Sequence, residues 1–85
     1  MEEKAKILSN LDKIHTTELG KERIKKNLCL NTDDVVKWCI KNICDKNSTL
    51  FRKGKNWYIT VNNCIITLNA HSYIIITAHK VKKYE

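Results

Sequence analysis

The chain has 85 residues, 42% of them apolar, and sixteen Lys and Arg against nine Asp and Glu, for a formal net charge of +7. That length leaves room for one domain, residues 1–85, and excludes a second folded unit, since domains typically run ~100–150 residues. The longest apolar run, Tyr73 to Ile76, is four residues, against the ~20 that a membrane helix needs, so no membrane association is expected.

The opening Met1-Glu2-Glu3-Lys4 is charged and leads into no long apolar stretch, so no secretory signal and a cytoplasmic location are expected. Fourteen of the sixteen basic residues are Lys and two, Arg23 and Arg52, are Arg. Net charge of this size says nothing about fold, but it favours polyanionic partners: RNA, DNA or an acidic protein surface. The competing reading is compositional, because Lys, Ile and Asn are what an AT-rich coding sequence supplies. The four cysteines, Cys29, Cys39, Cys44 and Cys64, form no C-x-x-C pair. Zinc sites use paired ligands two to four residues apart, so neither a metal site nor a cofactor is expected. In a reducing compartment, disulfides are not expected either. Cys39 and Cys64 fall at apolar positions and read as small buried hydrophobes.

Residues 2–44 read as helical. A first helix is expected from Glu2 to Asp12 or Lys13, with Ala5, Leu8 and Leu11 on its inner face and Ile7 and Ile14 flanking. Thr16 or Thr17 can cap a second helix, with Glu18 in its first turn and Leu19, Ile24 and Leu28 as its inner stripe. Gly20 within that stripe marks close packing or a shifted helix start. Asn31-Thr32-Asp33-Asp34 then offers caps for a third helix running to about Cys44. Its buried face is Val35, Val36, Cys39, Ile40 and Ile43, with Lys37 and Lys41 opposite.

Residues 49–82 alternate with period two and read as strands. Trp57, Ile59 and Val61 point one way, and Tyr58 and Thr60 the other. Asn62-Asn63 suits a two-residue turn, because Asn tolerates positive φ. Pairing across it sets Val61 against Cys64, Ile59 against Ile66 and Trp57 against Leu68, all apolar. A short strand at Thr49–Arg52 precedes the turn Arg52-Lys53-Gly54-Lys55. A last strand runs from Tyr73 to about Lys80, and its Ile74-Ile75-Ile76 run suggests a central strand covered on both faces. The sum is an α+β fold: two or three N-terminal helices packed on one face of a three- to four-stranded antiparallel sheet.

With one sheet face under helices, the other is open. It is expected to show Tyr58, Thr60, Thr67 and Asn69. If Ile74 and Ile76 face the helices, Tyr73, Thr77 and His79 join it. Tyrosines that stack on bases, hydroxyls and neighbouring cations make a plausible RNA surface, with Arg52, Lys53, Tyr58, Thr67, Tyr73, Thr77 and Lys80 as its contacts. An ordinary solvated face would use the same strand-forming residues. Metal-independent RNA cleavage needs an acid, a base and cations on the phosphate. His15, Arg23, Lys55 and His79 are the candidate set. No nucleophile elbow, nucleotide-binding glycine pattern or H-E-x-x-H is present.

Three segments carry a resemblance. Ile14-His15-Thr16-Thr17-Glu18-Leu19-Gly20 with Arg23-Ile24, then Gly54-Lys55-Asn56-Trp57-Tyr58, then Asn69-Ala70-His71-Ser72-Tyr73 with Ile75-Ile76-Thr77-Ala78-His79, resemble the small bacterial domain-of-unknown-function family 3781. The likeness spans about Leu8 to Lys80 and implies no activity. More loosely, the order of a helical His and Arg, a capped helix and strands ending in an Ile-Thr pair is similar to the barnase–colicin–RelE group of small RNase folds. That resemblance implies a toxin-like RNase of a mobile element, with His15 and Arg23 as the N-terminal pair and Thr77 with His79 on the terminal strand.

The expected function is therefore a small RNA-directed protein, cleaving RNA without metal. Two alternatives stand beside it. One is a phage- or mobile-element-encoded inhibitor of a host nuclease or defence complex, of anti-CRISPR type. The other is a nucleic-acid-binding module without catalysis. A homodimer through a bare edge between Thr60 and Thr67 is a further expectation.

Overall fold

Asn62 and Asn63 both adopt left-handed backbone, φ 49° and 64°, as a primed two-residue hairpin turn requires. They join two strands, Asn56–Val61 and Cys64–Asn69, whose register pairs Val61 with Cys64, Ile59 with Ile66 and Trp57 with Leu68. The expected pairing is the observed one. The computed structural model describes residues 2–81; residue 82, the expected end of the sheet half, lies outside them. In chain order the elements are α1 (Glu2–Leu8), a 3-10 turn (Leu11–Lys13), α2 (Glu18–Leu28), α3 (Val35–Ile43), β1 (Thr49–Lys53), β2 (Asn56–Val61), β3 (Cys64–Asn69) and β4 (Ile75–Lys80). The strands form one antiparallel sheet in the order β1-β2-β3-β4. Three helices before a four-stranded antiparallel sheet make the fold α+β.

Two helix starts follow their capping residues. Thr17 accepts a hydrogen bond from the Gly20 amide, and Asp34 one from the Lys37 amide, each satisfying a free amide of a first turn. The α2 stripe that reaches the core is Gly20, Ile24 and Leu28, while Leu19 is 75% exposed. A Cβ on Gly20 would overlap the Thr16 hydroxyl. That hydroxyl is itself committed, donating to the Ile75 carbonyl at 2.9 Å. Gly20 therefore serves close packing of α2 on β4. In α3, Val35, Cys39 and Ile43 are buried, and Val36 and Ile40 pack at the margin.

The first helix is shorter than its spacing suggested. It stops at Leu8, and a separate 3-10 turn follows, so a stripe through Ala5, Leu8 and Leu11 is not maintained. Ile7 and Ile14 enter the core instead, and Leu8 is exposed.

The largest departure is in β4. It is an edge strand, not a central one. Thr67 pairs with Thr77 and Leu68 with Ile75, which leaves Ile76 as an extra residue, a β-bulge. Ile75 consequently faces the helices, fully buried, and Ile76 is exposed. The bulge resets the alternation, so Thr77 and His79 still lie on the side away from the helices. Tyr73 cannot extend the strand because its φ is 61°, a conformation that costs an aromatic residue about 1–2 kcal/mol. The outer side of β4 is partly used. His15 bridges it through its amide to the Tyr73 carbonyl and its carbonyl from the Ile75 amide, and the Asn27 amide donates to the Ala78 carbonyl.

All core residues of the sheet share one parity: Trp57, Ile59, Val61, Cys64, Ile66, Leu68, Ile75 and Ala78. The helices α2, on β4, and α3, against β2, meet that side. Burial pushes the Cys39 thiol up to about 12, with Cys64 adding to it, which suits two thiols acting as apolar filler. Adjacent isoleucines on β3 test this one-sided packing. Ile66→Ala is expected to cost about 2–5 kcal/mol as a core truncation, and Ile65→Ala about 1 kcal/mol or less as a half-buried one. Chemical denaturation measures both, and equal losses would contradict a sheet sealed on one side.

Candidate functional site

The side of the sheet away from the helices carries two rows across its strands. Phe51, Tyr58, Thr67 and Thr77 face one another in register, as do Thr49, Thr60, Ile65 and His79. Lys53 continues the alternation of β1. Phe51, Tyr58 and Ile65 take no part in the core cluster. With Lys53 and Thr60 they line a shallow groove. Phe51 is 62% exposed. Its ring centroid lies 6.5 Å from that of Tyr58 with the planes tilted 42°, so each ring keeps a face or edge for another flat group. Thr67 is buried among its neighbours, and Thr77 is half-buried.

Of the seven residues expected at a nucleic-acid surface, Lys53, Tyr58, Thr67 and Thr77 stand here. Three do not. Tyr73 is buried, its ring edge-on to Trp57 at 5.5 Å, because its left-handed backbone turns it into the core. Lys80 lies opposite Cys64, at the edge and with the opposite parity. Arg52 lies opposite Trp57 and is occupied. Its guanidinium sits 5.7 Å from the indole centroid, bonds the Gly54 carbonyl through Nε at 2.9 Å, and pairs with Glu3 at 3.3 Å. Glu3 also accepts from the Trp57 indole N–H at 2.5 Å. This knot ties α1 to the sheet. A depression between α1 and β1 adjoins it, but its cations are engaged: Arg52 as described, and Lys4 on the Asp45 and Ser48 carbonyls.

The four candidates for acid–base chemistry do not converge. His15 bridges Ile74 beyond the start of β4, and His79 is five residues further along, roughly 16 Å at ~3.3 Å per residue. The Nδ1–H of His15 donates to the Lys13 carbonyl at 2.8 Å, since a carbonyl can only accept. Arg23 is exposed on α2 beside Leu19, Glu22 and Lys26. Lys55 is in the β1–β2 turn, its carbonyl bonded by the Ala70 amide, at the end of the sheet away from His79. The bare edge expected between Thr60 and Thr67 is internal, since β2 and β3 are the two central strands; β1 is an outer edge.

Phe51 and the charge distribution were not among the expected features of the site. Phe51 follows from pairing β1 against Tyr58 across the Gly54 turn. The charge follows from counting by halves. Residues 1–45 hold nine bases and eight acids, and residues 46–85 hold seven bases and one acid, Glu85. No Asp or Glu occurs from residue 46 to residue 81, so the segment that builds the sheet contains no carboxylate side chain.

The chain belongs to the DUF3781 family, described as a protein of unknown function, whose model matches residues 8–79. No curated protein and no solved structure matches it. The likeness to small RNase folds therefore rests on the sequence resemblance alone. Among the described residues, no helix is long and apolar enough to cross a membrane, and no group of three His, Cys, Asp or Glu side chains is placed to hold a metal ion.

The Glu3 knot has a pH signature. The Trp57 hydrogen bond and the Arg52 guanidinium hold the Glu3 carboxyl below its ordinary value of 4.5. Its contribution to stability is complete above that value and is lost as pH falls through the lower folded value. Wild type is expected to melt above Glu3→Gln at pH 7, with the gap closing below about pH 4.5. A gap that stays constant down to pH 3 would contradict the assigned pairing.

Proposed function

We propose that this chain is a cytoplasmic RNA-binding module that holds its ligand on the open side of the sheet and does not cleave it. The observation that carries the reading is the coincidence of an exposed Phe51 ring beside the half-buried ring of Tyr58 with a sheet segment free of carboxylates. Aromatic rings offer stacking surfaces to bases. Lys53 on the face and Lys55 in the adjoining turn offer charge to phosphates. Threonine hydroxyls both donate and accept, which suits sugar and base edges. The dispersal of His15, Arg23, Lys55 and His79 favours binding over cleavage, because acid, base and cation must meet at one phosphate.

With two lysines on phosphates, log K is expected to fall against log salt with a slope of about −1.4, at ~0.7 per contact for a single strand. Lys53→Gln is expected to lower that slope by about 0.7. Fluorescence anisotropy with a labelled 12-nucleotide RNA measures both. Absence of binding at ~50 mM salt would remove this reading. RNA cleaved in EDTA by wild type and left intact by His79→Ala would replace it with the nuclease reading.

A further inference from the structure

We infer that the ligand of the open face is an unpaired strand, and that two consecutive bases, unstacked from each other, rest on Phe51 and Tyr58. This deepens the RNA-binding reading and rests on it.

The argument is one of spacing. The two ring centroids are 6.5 Å apart, about twice the ~3.4 Å rise per nucleotide of a helical strand. Neighbouring bases of a duplex stay stacked at the shorter interval and are closed in pairs, so they cannot occupy the two rings together. An extended single strand can, since its bases splay apart. The 42° tilt between the rings also rejects a stack of parallel bases.

Charge points the same way. Duplex binding without base contacts depends on many cations laid along the phosphates. Here the face itself presents one lysine, Lys53, with His79 at the far end of the neighbouring row. The middle of the surface is Tyr58, Thr60, Ile65 and Thr77, which suits bases and sugars better than phosphates.

The position of Phe51 supports a binding role over a packing one. It lies on the outer strand, 62% exposed, where a strand residue with no partner beyond the tyrosine gains little by being aromatic. Ile65 and Thr60 border the same groove and give the second base a floor beside Tyr58.

The test is anisotropy at ~50 mM salt with one labelled 12-nucleotide RNA, alone and annealed to its complement. The single strand is expected to bind at least tenfold more tightly than the duplex. Phe51→Leu, which keeps an apolar side chain on β1, is expected to weaken single-strand binding about tenfold while leaving the salt slope and duplex binding unchanged. Phe51→Tyr is expected to restore it, and Tyr58→Leu to match Phe51→Leu. Circular dichroism and thermal melting confirm that each variant is folded. Equal binding of strand and duplex, indifferent to Phe51→Leu but weakened by Lys53→Gln, would overturn this inference and leave the polyanion reading standing. Tighter binding of the duplex would overturn it as well. Binding of neither would remove both.

Discussion

Two asparagines held at positive φ between β2 and β3 decide which side chains meet across the centre of the sheet. A primed turn of two residues admits one register, and that register places Trp57, Ile59, Val61, Cys64, Ile66 and Leu68 on one side. Shifting the pairing by one residue would turn Trp57, Ile59 and Val61 outward and draw Tyr58 and Thr60 into the core. The helices then have one surface on which to pack, and the opposite surface is left to solvent. The site described above is a consequence of that parity.

The rest of the fold accommodates the hairpin. At one margin, β4 must bring its residues onto α2 and still align with β3. It does so by inserting Ile76 as a bulge and by holding Tyr73 in a left-handed conformation, with the Tyr73 ring resting against Trp57. The segment at His15 and Thr16 occupies the free groups at the start of β4, which limits that edge as a template for another strand. At the other margin, Arg52 and Glu3 close over the indole. A cation that looks available in the sequence is thereby used in holding α1. The cations left near the open side are few, and they flank a middle of rings and hydroxyls.

What the sequence made legible was local. The hairpin could be read because alternation and two turn-forming residues agree, and α2 and α3 because Thr17 and Asp34 mark their first turns. The failures are non-local. The bulge at Ile76 follows from how β4 must meet both β3 and α2. The engagement of Arg52 depends on Glu3, 49 residues earlier in the chain. The end of α1 at Leu8 breaks the three-residue spacing; Ile7 and Ile14 are buried, Leu8 is exposed, and Leu11 packs at the margin of the core. The candidate site was legible in part: Tyr58 and Thr67 could be placed from alternation, whereas Thr77 and His79 were expected there only with Ile74 and Ile76 facing the helices and reach the open side through the bulge instead; Phe51 needed the pairing of β1, and His15 and Arg23 stand elsewhere.

Charge segregation gives the open surface its chemical character. Eight of the nine acidic residues lie in the helical half, residues 1–45, where bases nearly balance them. The sheet half carries the excess, and its open side sets one of those cations, Lys53, beside two aromatic rings with no carboxylate among them. Amide chemical-shift mapping of the labelled full chain, titrated with a short single-stranded RNA, tests the central claim most directly. Changes centred on Phe51, Lys53, Tyr58, Thr60 and Thr77 are the predicted result. Changes centred on Leu19, Arg23 and Lys26 of α2, with the sheet signals unmoved, would contradict it.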